Sequence, residues 1–163
     1  MPLLKNGEVI SDPWQHVGGT DALPPEGPVV VPFERWKGER EVLRARNTPI
    51  GVRLANAQPV ADLAADLERL ELIVLEFPKF IDGRAYTQAR LLRERYGYRG
   101  ELRATGNVLR DQIQFMQRCG FDAFEIADSR AAAIWRAAVN EIEVVYQPAA
   151  DDRVPAMRLR RSA

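Results

Sequence analysis

The run Leu72-Ile73-Val74-Leu75-Glu76-Phe77 constrains the fold more than any other stretch of the chain. It is apolar at both alternating sets of positions, so as a strand it has almost no solvent face. Such a strand belongs inside a parallel sheet with structure packed on both sides. Its surroundings agree. "VVVPF" (29–33) precedes a weak helical pattern over 34–46, and "IGVRL" (50–54) precedes a helix over about 59–70. That helix carries Val60, Leu63, Ala64, Leu67 and Leu70 on one face, with Pro59 near the first turn, where a missing N–H is harmless. After 72–77 come a helix over 86–97 closed by Gly97, a strand over "ELRAT" (101–105) and a helix over 108–119 closed by Gly120. A strand over "FDAFEI" (121–126) and a helix over 130–142, with Asp128-Ser129 at its N-cap, complete the series.

Five strand–helix units predict an α/β fold with right-handed crossovers and a mostly parallel sheet. A chain of 163 residues cannot close a barrel of eight such units, so the sheet is expected to be open or curled into part of a barrel. Residues 1–28 read as a hairpin turning at Asn6-Gly7, then an irregular arm dense in proline, glycine and aspartate. Residues 29–146 form the α/β domain, and 147–163 a tail without a period, expected to fray.

Parallel α/β sheets bind ligands beyond the carboxyl ends of their strands. The loop after 72–77 offers Lys79, Asp82, Gly83 and Arg84; the next offers Thr105, Gly106, Asn107, Arg110 and Asp111; the last offers Asp128, Ser129 and Arg130. Formal charge is balanced, 23 cations against 23 anions, which gives no global argument for nucleic acid or a membrane surface. Only three of the cations are lysines, and residues 84–118 hold eight arginines against three acids. That local excess points to a small anion, held by Lys79, Arg84 and Arg103 with backbone donors near Gly83, Gly106 and Asn107. Asp82 and Asp111 are the acid–base candidates. Arg90, Arg93 and Arg95 lie off the apolar stripe and read as a solvated helix face. Arg103, inside a strand, needs a carboxylate partner, an outward face or a ligand. Gln112 interrupts the stripe of Val108, Leu109, Phe115, Met116 and Cys119, and must satisfy its amide either on backbone or on a ligand.

Several chemistries find no support. His16 is the single histidine and lies in the arm, so no multi-histidine metal site and no Ser–His or Cys–His relay is expected. Cys119 is the single cysteine; it forbids an intrachain disulfide and a self-contained thiolate-held iron–sulfur cluster, and it reads as packing. No cofactor is evident, since neither a dinucleotide fingerprint nor a phosphate loop is present. With no charged-then-apolar leader and no apolar run near the roughly 20 residues of a membrane span, the expectation is a soluble, cytoplasmic protein.

The run "FPKFIDGRAYTQARLLRERYGYRGELRATGNVLRDQIQFMQRCGFDAFEI", residues 77–126, resembles the bacterial family known as domain of unknown function 934, and "VVVPFERW" and "GVRLAN" resemble earlier family segments. Lys79, Asp82, Arg84, Arg103 and Asp111 match the family pattern; Thr87 stands where members commonly carry serine. Members are often encoded beside sulfite reductase, and some carry provisional oxidoreductase names. The resemblance therefore implies a role in assimilatory sulfite or sulfate reduction, either as an accessory protein that binds the reductase or another pathway protein, or as a small enzyme acting on a sulfur oxyanion or phosphorylated anion.

Overall fold

A computed structural model describes residues 3–79, 81–126, 133, 135–137, 145–151 and 153–159. The expected strands form, and the arm, expected to be irregular, adds a two-residue strand. They are β1 (Leu3–Lys5), β2 (Glu8–Ile10), β3 (Gln15–His16), β4 (Val29–Pro32), β5 (Ile50–Leu54), β6 (Leu72–Phe77), β7 (Glu101–Gly106) and β8 (Ala123–Glu125). They make one sheet in the order β2-β1-β8-β7-β6-β5-β4-β3. From β3 to β8 all neighbours are parallel, and β1 runs antiparallel to β8 and β2.

Because β4 to β8 lie side by side in chain order, every crossover steps in the same direction, and the helices collect on one face. The result is an open, curled sheet, half of a β/α barrel, with a convex face under the helices and a concave face that, among the described residues, no helix covers. The main core fills the convex side: Val29, Val31, Ile50, Val52, Leu54, Ile73, Leu75, Phe77, Leu102, Ala104 and Phe124 are buried against Trp36, Leu43, Leu63, Leu92 and Met116. The opposite parity of β4 and β6, Val30, Leu72 and Val74, packs on Trp14 of the arm. The two apolar sides of "LIVLEF" are thus covered by different things, helices outside and arm inside.

The arm is more ordered than its composition indicates. Asn6 and Gly7 take φ of 52° and 82° in the hairpin turn. From β2 the chain crosses from the β8 edge of the sheet to the β4 edge, where Gln15 and His16 pair with Val29 and Val30. One short segment therefore occupies both edges.

The helices are shorter than their patterns. Phe33–Gly38 (α1) and Arg40–Arg44 (α2) break at Glu39, beside Gly38. The stripe over 59–70 makes a 3₁₀ run, Val60–Asp66, whose last residue, Asp66, lies fully buried under α1 and α2. Its carboxylate accepts from the Trp36 Nε1–H at 3.3 Å and from Arg40 Nη2 at 2.9 Å, and it pairs with Arg44 at 3.1 Å. Arg84–Arg90 (α3) continues into a π-helical segment, Leu91–Arg95, where Tyr96 N–H reaches the Leu91 carbonyl. Ile113–Arg118 (α4) follows a 3₁₀ turn, Arg110–Gln112. The helix predicted over 130–142 lies largely outside the described residues. The described part of the tail is docked rather than frayed: Arg118 pairs with Asp151 at 3.1 Å, Ala150 N–H bonds the Arg118 carbonyl, and a short helix α5 (Ala156–Leu159) follows.

Gly106 ends β7 at φ 91°, and a Cβ there would stand 2.5 Å from the Phe77 carbonyl oxygen. Gly106→Ala is expected to lower stability by about 1–3 kcal/mol through backbone strain alone. Gly38→Ala, where a Cβ meets nothing within 4 Å, is expected to be neutral or stabilising by up to ~1 kcal/mol. Urea midpoints of the two variants at unchanged m-value check the contrast.

Candidate functional site

The loop edge singled out from the sequence sits where expected, beyond β6 and β7, but its arginine is engaged. Arg84 grips Asp82 through Nη2–Oδ2 (2.6 Å) and Nε–Oδ1 (3.0 Å), and its backbone N–H adds a third contact at 3.3 Å. Hydrogen bonding from Arg84 pulls the Asp82 carboxyl down to about 2. Asp82 is thus a fixed anion at neutral pH. Lys79 and Gly83 are exposed, and Gly83 accepts the Tyr86 N–H as α3 begins. Gly106 and Asn107 are exposed too, with the Asn107 N–H bonded to the Phe77 carbonyl at 2.8 Å. Asp111 is exposed, and Gln112 turns its Oε1 back to the Leu109 N–H, as a helix-start cap.

Much of the basic third of the chain is paired, partly with neighbouring acids and partly with acids distant in sequence. Arg93 meets Asp122 at 2.5 Å and three backbone carbonyls, Tyr98, Gly100 and Gly120; Arg90 meets Glu94 at 3.0 Å; Arg118 meets Asp151. Arginines outside that third do the same work: Arg69 donates to the carbonyls of Arg44, Arg46 and Thr48, and Arg35 to those of Gly18 and Asp21. A planar five-donor fork can tie several loop carbonyls at once, which lysine cannot. The arginine bias is mainly a structural device.

Arg103 departs furthest from the loop edge. It points from the middle of β7 into the concave face, fully buried, next to Val74 and Ala123 in register. Its Nε and Nη2 donate to Glu101 Oε1 at 3.1 and 3.0 Å, and its Nη1 to Asp12 Oδ2 at 2.6 Å, with Glu125 Oε1 at 3.5 Å. Lys5 meets the other Glu101 oxygen at 2.6 Å, and the Thr105 hydroxyl donates to Glu125 Oε2. Of the three outcomes open to Arg103, carboxylate pairing is the one realised. Arg84, Arg103 and Asp111 do not form a shared cluster.

At the carboxyl end of this face the arm adds Asp12, Trp14 and His16, which with Arg53 and Glu125 line a cleft of about 320 Å³. Arg53 Nη2 lies 2.9 Å from His16 Nδ1. Arginine can only donate, so Nδ1 accepts and the proton of the neutral imidazole resides on Nε2. That Nε2–H faces Asp12 Oδ2 at 3.2 Å. Partial burial raises the Asp12 carboxyl, but bonds from Arg103, the Trp14 N–H and His16 outweigh it and hold it below its ordinary 3.8.

Asp12, His16 and Glu125 bring one ligand atom each within 4.8 Å of one another, a spacing open to a metal ion. Two features oppose that use. The Arg103 guanidinium already supplies the cation at Asp12 Oδ2, and a metal-ligating histidine normally donates from its second nitrogen, whereas here that nitrogen accepts from Arg53. Nucleophilic chemistry at Cys119 is disfavoured as well: it is buried, and desolvation pushes its thiol up to about 11. A larger cleft, about 530 Å³, opens at the opposite, amino edge around Glu71, Tyr98 and Gly100.

A family model described as a bacterial protein of unknown function, DUF934, matches residues 51–157. The chain belongs to this family. No curated protein matches the chain. The matched family segment contains the loop edge, Arg53, Arg103 and Glu125, while Asp12 and His16 lie in the arm ahead of it. Sequence reasoning missed Asp12, His16, Arg53 and Glu125; the one pointer to them was Arg103 itself, a strand arginine in need of carboxylates. Among the described residues no helix is long and apolar enough to cross a membrane.

The lowered Asp12 carboxyl has a pH consequence. Its contribution to stability is complete above its ordinary value of 3.8 and is lost as pH falls through the lower folded value. Asp12→Asn is therefore expected to be less stable than wild type at pH 7 and to lose less stability between pH 4 and pH 2. Urea midpoints across that range check it; parallel curves for the two proteins would contradict it.

Proposed function

We propose that this family member is an accessory protein of assimilatory sulfite or sulfate reduction that binds another protein of the route rather than transforming its substrate. One observation carries the reading: the arginines available for a substrate oxyanion are held by carboxylates of the chain itself, Arg84 by Asp82 and Arg103 by Asp12, Glu101 and Glu125. What remains at the loop edge suits a docking surface. Lys79 is exposed there, with Ile81 at 75 % and Leu109 at 39 % exposure in the same two loops. On the neighbouring helix Phe115 is half exposed and lies against Tyr86 at 5.0 Å. An exposed apolar group rimmed by charge is the composition of a protein contact.

The enzyme reading, a small oxidoreductase or other catalyst acting on a sulfur oxyanion or phosphorylated anion at Lys79 and Arg84, with Asp82 or Asp111 as the acid–base group, draws on the exposure of Lys79, Gly83, Gly106 and Asn107 at the carboxyl edge of the sheet. Affinity purification of the full-length chain from the bacterium that encodes it separates the two. The accessory role predicts recovery of sulfite reductase or another sulfur-assimilation protein, lost in Ile81→Asp at unchanged thermal stability, and slow growth of a deletion strain on sulfate that cysteine repairs. Recovery of no such protein together with normal growth on sulfate would overturn it. Saturable stabilisation by sulfite or sulfate that disappears in Arg84→Ala would favour the enzyme.

A further inference from the structure

The cleft between the arm and the concave face contains two buried hydrogen-bonding atoms without a hydrogen-bond partner, and they are of opposite polarity. One is a donor, Arg53 Nε, whose nearest carboxylate oxygen, Glu76 Oε1, stands 3.8 Å away, beyond hydrogen-bond range. The other is an acceptor, Glu125 Oε1, with Arg103 Nη1 at 3.5 Å and His16 Nε2 at 4.0 Å, both too long. Both residues line the same cleft of about 320 Å³. Buried polar atoms are seldom left unsatisfied, and a concentration of them at one cleft marks a place where a ligand or water completes the bonding.

Charge decides what kind of ligand fits. A simple anion would bond Arg53 but confront Glu125, Glu76 and Asp12. A simple cation would bond Glu125 but confront Arg53 and Arg103. A molecule carrying an ammonium and a carboxylate on one carbon offers a partner of the right sign to each orphan. The indole of Trp14, half-buried on Val30, Leu72 and Val74, adds an apolar wall beside them. The volume lies at the lower end of the range for small-molecule sites.

We propose that this cleft binds a free α-amino acid, its carboxylate on Arg53 and its ammonium on Glu125, with its side chain along Trp14. The site is independent of docking at the loop edge.

The test is calorimetry on the full-length chain at neutral pH with the twenty free amino acids, and with acetate and methylamine as half-ligands. At least one amino acid is expected to bind saturably, with acetate and methylamine at least tenfold weaker. Arg53→Gln and Glu125→Gln are each expected to weaken that binding tenfold or more, and Val42→Ala, exposed on α2, to leave it unchanged. Arg53→Gln alters a side chain that is 36 % exposed and is the variant read should Glu125→Gln fold poorly. A ligand-dependent shift of the Trp14 indole signal in a nitrogen-15 spectrum is the direct readout. Absence of saturable binding by any amino acid, acetate binding as tightly as the amino acid, or affinity unchanged in Arg53→Gln would each overturn the proposal.

Discussion

The ion pair between Arg103 and Asp12 is the interaction on which the rest of this structure depends. It joins residues 91 positions apart, one in the middle of a central strand and one in the arm, at 2.6 Å with the guanidinium wholly buried. A half-barrel has an uncovered concave face by construction, and an arginine there is tolerable only if carboxylates meet it. Glu101 and Glu125 come from the sheet itself, but the third carboxylate is delivered by the arm. The pair thus fixes the path of the arm, and the arm in turn places Trp14 on the apolar part of the face and His16 against Arg53. Fold and candidate site share one electrostatic centre.

The curl of the sheet follows from chain order. Each crossover steps to the next neighbour, so the helices never switch sides and no topological switch point arises. In a doubly wound sheet that switch would set the ligand crevice; here the concave face does so, together with whatever covers it. This moves attention from the β6–α3 and β7–α4 loops to the carboxyl ends of β5 and β8. At the loops Arg84 is held by Asp82, whose N–H bonds the Lys79 carbonyl at 3.0 Å.

The strands were legible because apolar runs survive as strands whatever surrounds them; β6 lies where "LIVLEF" put it, and β7 extends "ELRAT" by one residue. The Asn6-Gly7 hairpin was equally legible, since its turn chemistry is local. What was illegible depends on partners distant in sequence. Counting charges between 84 and 118 gave an excess of arginine because Asp12, Asp122, Glu125 and Asp151 lie outside that window. The stripe over 59–70 reads as α-helical but folds as a 3₁₀ run, and the service of Asp66 to Trp36, Arg40 and Arg44 has no trace in the local pattern. The arm looked irregular because a two-residue strand pairing in parallel with β4 leaves no period to read.

A double-mutant cycle between Asp12→Ala and Arg103→Met, read as unfolding free energy at pH 7, tests the central claim most directly. The account predicts that the two changes are strongly non-additive, with a coupling of about 1.5–3 kcal/mol, as for contacting residues in one buried network. Additive losses, with a coupling near zero, would mean that Asp12 is not the carboxylate that holds Arg103 and would contradict the arm-anchored concave face.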